Sequence, residues 1–264
     1  MLLFETVRSG RRRFVKRNGR RLIKALSRFV SSQSLVEDRP VHPTAEFPFL
    51  APIENNWTKI RAELDSLLRD RGSLPTFHQI SPDQRKISKG DNWKVFILFG
   101  FGLPSQKNCS RCPETAALLR SVPGLQSAWF SILAPHYRIP PHKGVTKTVL
   151  RVHLGLIVPA DREKCAMRVD HCVVNWEAGK SLVFDDFYNH EVWNDTGQER
   201  VVLIFDFVRP MRPLGRMINA VLMWGIKRTA YFKDARRNLM DWDERLQSAV
   251  EAADRMLDER PASK

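Results

Sequence analysis

The pattern of apolar positions changes character along the chain. From Gln126 to about Pro210, short runs rich in Val, Ile, Leu and Phe alternate with Pro, Gly, Asn and Asp. This predicts strands over 127–134, 148–158, 166–175, 181–186, 190–194 and 200–208, with "EAGK" at 177–180 as a turn. Upstream, "NWTKIRAELDSLLRDRG" (56–72) spaces Trp57, Ile60, Leu64, Leu67 and Leu68 for one helical face and ends on Gly72. "WKVFILFGFG" (93–102) is a β-rich apolar run, and "PETAALLRSV" (113–122) reads as a short helix. After Pro213 the chain returns to helix and then to a polar tail. Many short strands divided by turn signals imply a mainly β sandwich or barrel with flanking helices.

Composition adds a division to this picture. The 264 residues carry a formal charge of +14, and residues 1–30 hold ten Lys or Arg against the single acid Glu5. The basicity therefore belongs largely to an appendage. Expected units are a basic amphipathic head (1–33), a linker and mixed flank (34–125), a β-rich core (126–210) and C-terminal helices (211–264). No leader pattern is visible, and the apolar stretch "MINAVLMWGI" (217–226) is too short to cross a bilayer. A cytoplasmic protein is expected, peripheral on the inner face of the membrane if the head binds lipid. Cys109 and Cys112 form a CxxC, and Cys165 and Cys172 a wider pair. Without well-placed partners, ordinary reduced thiols are the simpler reading than zinc or redox chemistry.

Strand alternation then sorts the chemistry. In "LRVHLGLI" (150–157), Leu150, Val152, Leu154 and Leu156 share one face, while Arg151, His153, Gly155 and Ile157 share the other. In 200–206, Arg200, Val202, Ile204 and Asp206 fall together. Two arginines suit a small dicarboxylate, although Arg151 is equally able to pair with Asp185 or Asp206. His142 and His190 offer imidazoles for a divalent metal.

The ordered set "PPHKG", "LRVHLGLIVP", "WEAGK", "FDDFYNHEVWND" and "ERVVLIFDF" resembles the aspartyl/asparaginyl β-hydroxylase family over about 126–210. That resemblance implies a double-stranded β-helix (jelly-roll, cupin-like) core and an iron(II)- and 2-oxoglutarate-dependent dioxygenase using O2. It implies His142 and His190 as iron ligands, with Arg151 and His153 at the oxoacid end of 2-oxoglutarate. Ser131 and Arg200 would hold the distal carboxylate. The more usual ligand set adds a carboxylate two residues after the first His, where this chain has Gly144. The aspartyl hydroxylase branch is similar in this respect, with water in that place, whereas the lipid A hydroxylases resemble "HRD".

The resemblance leaves the substrate divided. The absent carboxylate favours β-hydroxylation of an Asp or Asn, in a peptide or on a carrier. The basic head, and "RPLGRMINAVLMWGIKR" (212–228) with its flanking cations, favour an anionic membrane surface. The family includes hydroxylases of lipid A and ornithine-lipid acyl chains, so a membrane lipid acyl chain is the leading expectation. A basic nucleic-acid-binding protein is the rival of another class. Against it, the head lacks Tyr and Trp for stacking and no second basic motif follows.

Overall fold

Strand alternation resolves into two antiparallel sheets in a computed structural model that describes residues 25, 28–69, 71–81, 85–100, 102–144 and 146–227. Their strands are β1 (Val41–His42), β2 (Trp93–Gly100), β3 (Leu103–Pro104), β4 (Leu125–Leu133), β5 (Tyr137–His142), β6 (Val149–Ile157), β7 (Cys165–Val169), β8 (Cys172–Val174), β9 (Ser181–Phe184), β10 (His190–Asn194) and β11 (Arg200–Val208). The larger sheet has the order β1-β9-β6-β11-β4-β2-β3 and the smaller β5-β10-β7-β8. The helices are α1 (Leu50–Asn55), α2 (Trp57–Leu68), α3 (Phe77–Ile80), α4 (Gln106–Arg111), α5 (Pro113–Arg120) and α6 (Pro213–Lys227).

The two faces of the larger sheet have different tasks. Leu150, Val152, Leu154 and Leu156 of β6 face one way, into an apolar layer with Leu203 and Phe205 of β11. Ile60, Leu64 and Leu67 of α2 and Ala116 and Leu119 of α5 complete that layer. The opposite face turns toward the smaller sheet. There Val202 and Ile204 pack with Ile139, Met167, Val169 and Val192. Burial of both faces explains why the long strands read as near-continuous apolar runs. This is a double-stranded β-helix of the jelly-roll type, mainly β with flanking helices.

Several expectations shift in detail. The sheet draws strands from 41–42 and 93–104, so it reaches beyond 126–210. The run over 166–175 is a hairpin folded at Asp170–His171, where Asp170 adopts a φ of 54°. β5 carries Pro140 and Pro141, which argue against a strand in sequence. It is nevertheless an edge strand, paired to β10 alone, where a missing N–H is tolerated. Cys109 and Cys112 are buried and make no disulfide, and burial followed by the charge of Glu63 pushes Cys112 up to about 12. That suits inert core packing and not a reactive pair. Residues 28–33 of the basic head are helical; the rest of the head before 28 (Ala25 apart) and the C-terminal stretch from 228 lie outside the described residues. Among those described, no helix is long and apolar enough to cross a membrane.

Candidate active site

Between the sheets lies a cavity of about 300 Å³ whose walls include Ser131, His142, Arg151, His153, His190 and Arg200. All six candidates from the sequence therefore meet in one place. The ladder explains how. β5 and β10 set His142 directly opposite His190, and the register slips between His190 and Val192. β11 sets Ile204 opposite His153 and Val202 opposite Ser131.

The histidine rings are 4.1 Å apart between centroids. His142 Nδ1 is 2.8 Å from the Pro140 carbonyl oxygen, and His190 Nδ1 is 2.9 Å from that of Tyr188. A carbonyl only accepts, so each Nδ1 carries the proton and each Nε2 keeps a lone pair. Burial lowers both pKa values, and for His190 the neighbouring His142 helps bring it to about 3. The pair is thus neutral at pH 7 with fixed tautomers, the state a divalent metal requires. No group of three or more His, Cys, Asp or Glu able to hold a metal is found among the described residues.

Arg200 is the most telling side chain. It is 1% exposed, and its Nε and Nη1 have no hydrogen-bond partner. Its guanidinium lies 4.7 Å from the Trp176 ring, and burial lowers its pKa to about 10. Leaving such a cation unpaired is costly, so the site is built for an anion. Near it, Ser131 Oγ accepts a 3.0 Å hydrogen bond from Trp93 Nε1, which leaves its own proton to donate. His153 Nδ1 accepts from Trp176 Nε1 at 3.2 Å. Its neutral ring therefore bears its proton on Nε2, and burial with Arg200 and Arg151 nearby holds the pKa well below the ordinary value.

Arg151 behaves differently from its neighbour. Its Nε and Nη2 bond Asp206 at 2.7 and 3.0 Å, and Nη2 also lies 3.3 Å from Asp186. Burial opposes its charge, but Asp206 and Asp186 outweigh it and raise the pKa. The pairing with Asp206, open in the sequence, is realised because the two residues are opposite in register. Asp185 instead pairs with the buried Arg209 and with Lys147.

Asp186 was not singled out by the sequence. A β-carbon on Gly144 would lie 2.3–2.5 Å from the Asp186 carboxyl group. The space that a side chain at 144 would take is filled by a carboxylate from the turn after β9. Burial pushes Asp186 up to about 6 despite Arg151, and its Oδ1 is unpartnered. The remaining walls include Phe77, Ile87 and Ile139, with Lys86 and Lys143 as cations.

The chain as a whole is similar to several known proteins. The family described as aspartyl/asparaginyl beta-hydroxylase matches residues 54–210. An ornithine lipid ester-linked acyl 2-hydroxylase of Rhizobium tropici is 45% identical over 213 residues, covering 81% of this chain and 76% of its own. The human aspartyl/asparaginyl beta-hydroxylase is 31% identical over 175 residues, covering 62% of this chain and 23% of its own. Among solved structures, a Pseudomonas putida prolyl-4-hydroxylase aligns with a TM-score of 0.39 at 20% identity, covering 58% of this chain and 87% of that one.

Proposed function

Because the chain belongs to the aspartyl/asparaginyl β-hydroxylase family, and is thereby a hydroxylase, we propose that it is an iron(II)- and 2-oxoglutarate-dependent oxygenase acting on the acyl chain of an ornithine-type membrane lipid. One observation carries the cosubstrate assignment: a buried guanidinium, Arg200, with two unpartnered nitrogens at a cavity that also holds two neutral imidazoles. The residues fit the group. His142 and His190 would hold iron through Nε2. Arg200, with the Ser131 hydroxyl, would hold the distal carboxylate of 2-oxoglutarate. His153 would donate from Nε2 to the oxoacid end, where Arg151 would also take part. Two of Arg151's three nitrogens already serve Asp206 and Asp186, so it also positions those carboxylates.

When bound, iron(II) and 2-oxoglutarate supply oxidation of an unactivated C–H bond by O2, with release of succinate and CO2. The chain contributes orientation and dryness. Trp93, Trp129, Phe184 and Ile204 wall the cavity and exclude water from it. Phe77 and Ile87 offer apolar surface to a chain-like substrate, and Lys86 and Lys143 offer positive charge to a headgroup carboxylate. The 45% identity to an acyl 2-hydroxylase, across four fifths of the chain, supports the lipid over the peptide substrate. The basic head, read in sequence as facing an anionic membrane, fits the same substrate.

The test is turnover by the iron-loaded full chain with detergent-dispersed ornithine lipid, read by mass spectrometry. The expected product is lipid heavier by one oxygen, formed with matching succinate and lost in His190→Ala. Arg200→Ala should raise the KM for 2-oxoglutarate roughly 10- to 100-fold, the worth of a buried charged pair. Succinate formed with an Asp- or Asn-containing peptide and not with lipid would transfer the activity to aspartyl or asparaginyl β-hydroxylation. A KM unchanged by Arg200→Ala would remove the cosubstrate assignment.

A further inference from the structure

From Pro213 to Val221, α6 is turned inside out relative to an ordinary surface helix. Gly215 and Asn219, four residues apart, face inward and are buried. Gly215 is held so closely that a β-carbon there would lie 2.6 Å from Cβ of Gln33. Leu214, Met217 and Val221, at the i, i+3 and i+7 spacing of a single stripe, face outward, with Met217 60% and Val221 64% exposed. A soluble helix buries that stripe and exposes the amide. Along the segment itself the charges have one sign, and the acids that follow Leu35, Glu37 and Asp38, are paired with Arg39 and Lys147. Arg212 and Arg216 are exposed, and no acidic residue occurs from Arg209 to Lys227.

The basic head enters the fold at this same place. Arg212 N–H donates to the Gln33 carbonyl at 2.9 Å, and Leu35 N–H donates to that of Pro210 at 2.9 Å. Ser34 bridges to Met211, and Leu35 itself is exposed. Two features far apart in sequence thus converge: an outward apolar stripe, and the root of a segment with ten Lys or Arg in its first thirty residues. On the flank of α6, a cavity of about 820 Å³ walled by Phe47, Phe49, Phe207 and Arg216 adds apolar surface.

We propose that the outward face of α6, with Leu35 and the root of the head, is a docking surface for an anionic lipid bilayer, Leu214, Met217 and Val221 inserting while Arg212 and Arg216 meet the headgroups. The proposal rests on the lipid reading above and names the partner that would present the substrate. Charge decides the occupant. A second copy of this chain would bring the same cations against themselves, whereas an anionic bilayer answers both the stripe and its surroundings.

The experiment is flotation of the full chain with vesicles of phosphatidylglycerol and phosphatidylcholine, and with phosphatidylcholine alone. Wild type should float with the anionic vesicles, and Met217→Asp with Val221→Asp should lower that affinity roughly tenfold or more. Leu214→Gln is the milder variant should the double one fold poorly. Turnover of detergent-dispersed lipid should be unchanged in these variants, and turnover of vesicle-embedded lipid should fall. Equal flotation of wild type and variants would overturn the proposal, as would a dimer that the variants abolish in a chain that does not float. Flotation without turnover of dispersed lipid would instead overturn the substrate reading and leave the docking surface standing.

Discussion

At the scale of single residues, the site turns on what stands where a third metal-ligating carboxylate is commonly found. Gly144 leaves that place free of a side chain of its own, and the Asp186 carboxyl group lies where a β-carbon at 144 would be, without completing a three-ligand set among the described residues. Iron should therefore be retained weakly by the two histidines alone and more firmly once 2-oxoglutarate is added. Gly144→Asp looks like a repair but creates a conflict. Its β-carbon would meet carboxyl atoms at 2.3–2.5 Å, and two carboxylates so close cannot both ionise. The variant is expected to lose about 1–3 kcal/mol of stability, typical of overpacking, without gaining iron. Adding Asp186→Ala should relieve the clash and let the new carboxylate hold iron without 2-oxoglutarate. Urea midpoints and iron retained through desalting measure both effects. A stable Gly144→Asp protein with firmer iron binding would show that Asp186 does not fill that space. The missing carboxylate and its weaker hold on iron were legible in the sequence; the part played by Asp186 was not. "HKG" announces an absent carboxylate, but what replaces it depends on a turn more than forty residues away.

At the scale of elements, the site depends on the seam between β6 and the turn that follows β8. Gly155 N–H donates to the Lys180 carbonyl at 3.1 Å, and Gly179 N–H donates back to Gly155 at 2.9 Å. A β-carbon at 155 would lie 2.2 Å from the Glu177 carbonyl oxygen, a backbone atom that cannot swing aside. Trp176 precedes that residue, donates to His153 and lies against Arg200. Gly155→Ala should accordingly push the turn outward, cost about 1–3 kcal/mol and loosen the anion end of the cavity. The expected signature is a raised KM for 2-oxoglutarate with a smaller change in kcat. Unchanged stability would mean that the turn yields freely. Alternation alone identified the two faces of β6 and the inward arginines, because period-two patterning survives wherever a strand is buried on one chemical side. It failed at β5, where Pro140 and Pro141 signal a loop and only the edge position permits a strand. It also left open whether Arg151 meets a ligand or a carboxylate, since register with Asp206 is a property of two strands and not of one.

At the scale of the whole molecule, charge and apolar surface are distributed so that their contributions can be separated. Residues 1–30 hold ten of the basic side chains against one acid, and the outward stripe of α6 holds apolar ones. Attraction of the head to an anionic bilayer is screened by salt, with a Debye length of about 10 Å at 0.1 M and about 3 Å at 1 M. Insertion of Leu214, Met217 and Val221 is not weakened in that way. The two components should therefore part company in a salt titration. A deletion must stop before Arg28, because residues 28–35 are helical or bonded to 210–212 and their loss would expose the inner side of α6. For the full chain, binding to phosphatidylglycerol vesicles should fall steeply between 0.1 and 1 M salt, at about 1 kcal/mol per engaged basic side chain at the low end. For the chain lacking residues 1–27, binding should be weaker at low salt and nearly flat across the range. Co-sedimentation at several ionic strengths distinguishes these curves. If the deletion keeps the full salt dependence, Arg212 and Arg216 supply the charge and the head has another task. If it abolishes binding at every salt concentration, the apolar stripe contributes nothing and attraction is electrostatic throughout.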